Sequence, residues 1–286
     1  MSGTRASARS SFVGIKRRVL EPAQTPIAAM KQTGGYGYPL FRGDRCGPNL
    51  SVHIVGSKLT LGLCWIDVGC GNGAFTELLV ERCAPNEVQG IDPSEAQLTF
   101  ARARLAGRVA EFRQGDAMAL PFADGRFDAA TLALVISFVP DPRKGVAEMA
   151  RVVRPGGMVA VYAWDMLCGG YPNEPIHAEM RVMGVTHLRT PGREASRMDA
   201  LQDLWRAAGL DAVDTREITV ERTFTDFEDC WATSLLGSSV GPTVAAMSSG
   251  DINLLKTRVR ERLPADATGR ITYSARANAV KGRVPT

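Results

Sequence analysis

The chain has 286 residues, 45% of them hydrophobic and 22% charged, a balance that suits one globular α/β domain with room for an appended subdomain. No apolar stretch reaches membrane-spanning length, and the opening MSGTRASARSSFVGIKRRVL lacks the apolar core of a secretory signal. The net charge is +4, but residues 1–60 hold nine Lys/Arg against two Asp/Glu and the rest 25 against 28, so the folded part is mildly acidic, which argues against a nucleic-acid partner.

Residues 1–60 show no period of 2 or 3.6 and are broken by glycine and proline in KQTGGYGYPLFRGDRCGPN. They read as an irregular or disordered segment, although the Ser/Arg-rich start also has the composition of a transit peptide. From residue 61 the pattern changes. LGLCWIDVG reads as a buried strand, and Phe75, Leu78 and Leu79 then mark a helix that ends at Pro85 and Asn86. EVQGID is a second strand. PSEAQLTFARARL is a helix opened by Ser94, with Gln97 three residues on in capping-box spacing. AEFRQGD is a third strand, and the nearly unbroken apolar run FDAATLALVISFV reads as a central parallel strand covered on both faces. Asp141 and Pro142 open a helix through Val146, Met149 and Val153 that stops before RPGG, and MVAVYAW is a fifth strand. Strands and helices alternating in this way predict an open parallel sheet.

Beyond residue 165 the rhythm loosens into an irregular, partly helical insertion. Leu201, Leu204, Trp205 and Ala208 form a helical stripe between Asp199 as cap and Gly209 as stop. REITVERTF and ITYSARANA alternate as strands on either side of a helical stretch, 225–264, with Ile252, Leu255 and Val259 on one side. These two strands predict an antiparallel pair at the sheet edge.

The chemistry gathers at WIDVGCGNGAF. Gly69, Gly71 and Ala74 satisfy the G-x-G-x-x-A dinucleotide pattern, which taken alone admits a nicotinamide-dependent (NAD(P)) oxidoreductase. Three acids narrow that reading. Asp67 beside the turn repels a pyrophosphate and suits an ammonium or sulfonium group. Asp92 ends the second strand, where a carboxylate accepts from ribose hydroxyls. Asp116 ends the third, where it accepts from an exocyclic amine while a neighbouring N–H meets a ring nitrogen. Each alone is equally a cap or turn former; at three successive strand ends they describe S-adenosylmethionine.

WIDVGCGNGAF, VQGIDPS, RQGDAMALPFADGRFDAA and EMARVVRPGGMVAVYAW together resemble the successive motifs of class I S-adenosylmethionine-dependent methyltransferases, nearest to the small-molecule type of ubiquinone and menaquinone biosynthesis. The resemblance covers about residues 61–165. It implies an α/β, Rossmann-like, seven-stranded, mostly parallel sheet with an antiparallel edge pair, helices on both faces and helical lid insertions. It also implies a methyltransferase domain over 61–286, with a cofactor-binding core at 61–165 and an acceptor, lid and edge-strand region at 166–286. By the same resemblance Asp67 serves the methionyl end of the cofactor, and Gly69, Gly71 and Gly73 let the loop pass under it. Asp92 takes the ribose hydroxyls with Pro93 against the adenine, Asp116 and the Ala117 backbone read the adenine edge, and Leu134 and Val135 form the floor near the methyl group. The implied partner is a small-molecule methyl acceptor. The helices that precede the first strand in the family have no counterpart in residues 1–60, which leaves open a protein that binds the cofactor without catalysis.

No residue is assigned as the catalytic base. Asp165, at the mouth of the fifth strand, is the best-placed carboxylate, but its position favours a turn-forming or capping role. His177 and His187 sit in the insertion and His53 in the N-terminal segment. Trp164, Phe138, Tyr171 and Trp231 are candidates for an apolar acceptor pocket or for ordinary core. The six cysteines (Cys46, Cys64, Cys70, Cys83, Cys168, Cys230) form no C-x-x-C pair and no cluster with the three histidines, so free thiols in a reducing cytoplasm and no metal site are expected. Cys70 reads as a small residue that fits a tight turn.

Overall fold

A computed structural model describes residues 61–186, 189–237 and 239–286. The readings made for residues 1–60, His53 and Cys46 among them, and that for His187 lie outside the described residues.

Seven strands form one sheet: β1 (Cys64–Val68), β2 (Glu87–Asp92), β3 (Ala110–Gln114), β4 (Phe127–Ala133), β5 (Val153–Trp164), β6 (Asp211–Phe224) and β7 (Ile271–Arg283). Their spatial order is β3-β2-β1-β4-β5-β7-β6. The first five are parallel, and β7 lies antiparallel between β5 and β6. This is the expected Rossmann-like, mostly parallel sheet with its antiparallel pair at one edge. Strand order reverses between β1 and β4, so a crevice forms outside the carboxyl ends of these strands, where open α/β sheets take their ligands.

Helices α1 (Ala74–Cys83), α2 (Glu95–Arg104) and α3 (Pro142–Val152) follow β1, β2 and β4. Ser94 Oγ accepts from the Gln97 N–H at 3.4 Å, and Asp141 Oδ1 from the Lys144 N–H at 3.1 Å, which satisfies donors that a helix start leaves unpaired. Only half of the capping box forms, because the Gln97 Oε1 is buried with no hydrogen-bond partner. The insertion holds α4 (Glu174–Val182), and α5 (Met198–Ala207) follows it. Asp199 does not cap α5: the preceding residue is Arg197, and Asp199 sits in the first turn, ion-paired to that arginine. The helical stretch before β7 resolves into α6 (Phe227–Leu235), α7 (Val240–Ala245) and α8 (Ser249–Arg262).

The fourth strand is shorter than its apolar run. It stops at Ala133, Leu134 turns into the left-handed region with φ 61°, and Ile136–Phe138 form a single 3-10 turn. Ile136 is as buried as the strand, so hydrophobicity alone gives no sign of the break. β5 begins earlier than MVAVYAW, at Val153, because Phe127 of β4 pairs with Val153 and the register then skips to Met158. β6 and β7 are longer than their alternating segments and pair along nearly their whole length.

The main core joins Ile66, Leu132, Val161 and Met149 to Trp205 of α5, and a second core gathers Met180, Trp231, Leu255 and Val259 among α4, α6 and α8. Trp205 is fully buried and its Nε1 donates to the Val159 carbonyl of β5 at 3.1 Å. Trp205→Ala leaves a cavity and an unpaired carbonyl. We expect a loss of about 3–5 kcal/mol in urea denaturation; a loss below about 1 kcal/mol would contradict this packing.

Candidate functional site

The site begins with a buried acid. Asp67, one residue from the end of β1, is fully enclosed, and its flanking strand partners are Gly90 of β2 and Thr131 of β4. Thr76 Oγ1, on the first turn of α1, donates to Asp67 Oδ2 at 2.6 Å, whereas Oδ1 is buried with no hydrogen-bond partner. Burial pushes the carboxyl up to about 7, against the pull of the Thr76 hydrogen bond, and the nearby Asp92 charge adds a smaller push. An orphaned carboxylate oxygen in this setting wants a cation.

The chain leaves β1 through a glycine turn that is strapped to β2. The N–H groups of Gly69 and Cys70 both donate to the Ile91 carbonyl, at 2.7 and 3.0 Å. Gly71 N–H donates to Asp92 Oδ2 at 2.9 Å, and Asp92 Oδ1 accepts from Ser94 N–H at 2.8 Å. Gly71 has φ 53°, and a Cβ placed there would meet nothing within 4 Å, so this stretch of backbone faces open space. Gly69 differs: a Cβ there would lie 2.5 Å from Val135 Cγ1, so the end of β4 packs directly on the turn. Gly73 precedes α1 with φ 78°. Cys70 is buried in this turn, and burial together with the Asp67 and Asp92 charges drives its thiol far up, which makes it inert.

Asp92 closes β2. It is mostly buried, and desolvation raises its pKa while the Ser94 and Gly71 N–H groups oppose the rise. Each of its oxygens already accepts one backbone N–H and keeps a second lone pair for a ligand. Pro93 is exposed beside it, and its carbonyl accepts from Gln114 Nε2 at 2.9 Å, which ties the ends of β2 and β3 together. Asp116 follows β3, exposed, with Oδ1 accepting from the Met118 N–H at 2.8 Å, and Ala117 is half-buried in the same turn. Leu134 and Val135 stand at the end of β4, and the Leu134 N–H donates to the Tyr162 carbonyl of β5. The structure thus brings all ten predicted positions to the carboxyl edge of β3, β2, β1 and β4.

The other candidates divide. Asp165 is buried and ion-paired to Arg276 of β7, while its Oδ1 accepts from the Cys168 N–H at 3.1 Å. It fastens the loop after β5 to β7 and does not face a reacting group as a base. Trp164 lies in the core beside Tyr162 and Tyr171, and Trp231 belongs to the second core, stacked on Phe227. Phe138, Tyr171 and His177 instead line a cavity of about 410 Å³ at the carboxyl ends of β4 and β5. There His177 stacks on Tyr171, with ring centroids 5.1 Å apart, and Ser239 Oγ bridges the two, 3.1 Å from His177 Nε2 and 3.2 Å from the Tyr171 hydroxyl. Thr76, Ser239 and the cavity residue Arg193 carry no motif of their own. Thr76 alone left a trace, as a hydroxyl on the inward face of a helix otherwise packed by Phe75 and Leu79.

Residues 66–161 match the sequence profile of the family described as methyltransferase domain. A demethylmenaquinone methyltransferase of Desulfitobacterium hafniense is 45% identical over 103 residues, which cover 34% of this chain and 41% of the relative. The chain therefore spans about two fifths of that curated relative's length. Among solved structures, a methyltransferase fold from Bacillus halodurans superposes with a TM-score of 0.54 at 19% identity, covering 80% of this chain and 96% of the other. A Haemonchus contortus phosphoethanolamine N-methyltransferase, solved in complex with S-adenosyl-L-methionine, gives 0.54 at 15% identity, covering 83% and 52%. Over residues 66–161, about a third of its length, the chain is similar to the methyltransferase domain family, and its fold is that of solved methyltransferases. The edge offers an orphaned buried oxygen at Asp67 and open space beside Gly71.

Because Asp67 has its pKa raised on folding, its contribution to stability is complete below about pH 4 and is lost as pH climbs to about 7, by about 4 kcal/mol in all. Asp67→Asn abolishes this titration. In ligand-free protein the variant should therefore gain stability relative to wild type between about pH 4 and 8. Urea denaturation across that range reads the difference, and a pH-independent gap would rule out a buried titrating carboxyl.

Proposed function

We propose that this protein transfers a methyl group from S-adenosylmethionine to a small-molecule acceptor. The observation that carries the reading is Asp67: a sealed carboxylate, one oxygen unpaired, next to a glycine turn whose backbone faces open space. A dinucleotide's pyrophosphate would meet repulsion there, which weighs against the oxidoreductase reading.

In this reading Asp67 holds the cationic methionyl end, and Gly69, Gly71 and Gly73 let the backbone run close beneath the ligand. Asp92 accepts from the ribose hydroxyls with its remaining lone pairs. Pro93, Asp116 and Ala117 flank the adenine, and Leu134 and Val135 floor the site where the methyl group lies. When bound, S-adenosylmethionine supplies a methyl group on a positive sulfur that an acceptor lone pair can displace in line. The chain's share is alignment, which can account for about 7–11 kcal/mol of such a barrier. Residues 61–165 act as the cofactor core and 166–286 as the acceptor side. No base is assigned, since Asp165 is committed to Arg276.

A cytoplasmic setting without a nucleic-acid partner completes the proposal. It is supported by the acidic balance of residues 61–286 and by the five free cysteines among the described residues, three of them buried. Among the described residues no helix is long and apolar enough to cross a membrane.

Calorimetry with S-adenosylmethionine and NAD tests the reading. The former should bind and the latter should not, and affinity for S-adenosylmethionine should fall as pH drops below about 7 and Asp67 takes up a proton. Asp92→Ala should weaken binding at least about tenfold, the scale of one charged hydrogen bond. Gly71→Val should abolish binding, since its side chain enters the open space and its φ disfavours a branched residue. Preferential NAD binding, or unchanged affinity in both variants, would refute the assignment. Release of S-adenosylhomocysteine with an acceptor panel separates turnover from mere binding.

A further inference from the structure

The cavity at the ends of β4 and β5 is built by segments that the methyltransferase profile, ending at residue 161, mostly does not reach. At about 410 Å³ it sits at the small end of the range typical of ligand sites, about 300–1,000 Å³. Part of its wall is apolar, from Phe138, Met166 and Leu167.

Most of its polar groups are already engaged. Glu174 is ion-paired to Arg181, Ser239 is bonded to Tyr171 and His177, and Thr190 Oγ1 contacts the Met166 sulfur. Three charged residues of the lining remain: Arg189, Arg193 and Glu194. Arg189 and Glu194 are exposed, where water screens them. Arg193 is half-buried and forms no ion pair among the described residues.

The backbone beneath Arg193 is fixed from three sides. Gly192 N–H donates to the Ser137 carbonyl at 2.8 Å, and a Cβ on Gly192 would lie 2.7 Å from the Val139 carbonyl oxygen, so only glycine lets this loop reach the end of β4. Ser196 Oγ donates to the Arg193 carbonyl at 2.7 Å and accepts from the Met166 N–H at 3.3 Å. Asn278 of β7 donates to the Ser196 carbonyl at 2.9 Å. The fixed backbone sets where this side chain enters the cavity, and the planar fork of its guanidinium matches a carboxylate.

We infer that this cavity takes the methyl acceptor and that the acceptor is a small carboxylate with an apolar body, its acid group held by Arg193. The inference rests on the methyl-transfer reading for the word acceptor, but not for the binding of the acid. One half-buried arginine suits a monoanion better than a phosphate dianion. A quinone, the acceptor type named for the demethylmenaquinone relatives, offers this arginine no charge.

The test is calorimetry on the full chain saturated with S-adenosylhomocysteine, with benzoate and 4-hydroxybenzoate as probes against benzamide and 1,4-naphthohydroquinone. The carboxylates should bind at least tenfold more tightly than the neutral compounds. Arg193→Gln should erase that preference, Arg193→Lys should keep part of it, and neither should change affinity for S-adenosylhomocysteine. Equal binding of benzamide and benzoate, tighter binding of the naphthohydroquinone, no carboxylate binding, or an unchanged preference in Arg193→Gln would overturn the inference. If S-adenosylhomocysteine binds but the carboxylate preference is absent, this inference falls and the methyltransferase reading stands. If S-adenosylhomocysteine does not bind yet benzoate is still preferred, in an Arg193-dependent way, the methyltransferase reading falls and the acid site stands.

Discussion

A carboxylate sealed inside the sheet with one oxygen unpaired is the constraint around which the rest of this domain is arranged. Asp67 cannot reach water, and the hydroxyl of Thr76 satisfies only half of it. Such a group is costly in an empty protein and rewarding in one that holds a cation. In the proposed complex the turn that follows passes close to that cation. Positive-φ glycines make the bend, and the Ile91 carbonyl and the Asp92 side chain hold it open. Asp92 therefore braces the loop through its Gly71 and Ser94 contacts, and in the proposed reading it also faces the ligand; both follow from where β2 ends.

The end of β4 is bound into the same arrangement. Val135 occupies the space that a side chain on Gly69 would need, and Leu134 accepts a left-handed backbone to bring it there. That conformation costs a non-glycine residue on the order of 1–3 kcal/mol, which the surrounding packing must offset. The same turn continues into Ile136–Phe138, whose carbonyls meet the Gly192 loop. The break in β4 thus connects the glycine turn, packed by Val135, to the Gly192 loop and to the cavity that Phe138 lines.

How legible this was in the sequence differed along the chain. The five parallel strands, the caps at Ser94 and Asp141, and the acids at three strand ends were readable because each rests on short-range pattern: apolar runs, capping residues, glycine spacing. The end of β4 was not readable, because Ile136 and Ser137 are buried like the strand before them and only the backbone angle changes. Asp199 misled for a related reason: an acid suits the first turn of a helix as well as its cap. Asp165 had two sequence readings, and its partner Arg276 decided for the structural one from 111 residues away.

That distance explains why the acceptor side is harder to read than the cofactor side. Groups that meet one fixed cofactor can sit on consecutive β–α units, so their spacing survives as a motif. The cavity is assembled from the ends of β4 and β5, α4, the Arg193 turn and the start of α7, and is fastened by contacts such as Ser196 with Asn278, 82 residues apart. No local spacing records such contacts. They are also free to differ between proteins that share the cofactor edge, since β7, antiparallel to both neighbours, holds this half of the sheet together whatever side chains face the cavity. Similarity over residues 66–161 therefore bears on the edge built by β1 to β4, whereas the cavity lined by Arg193 lies almost wholly beyond it.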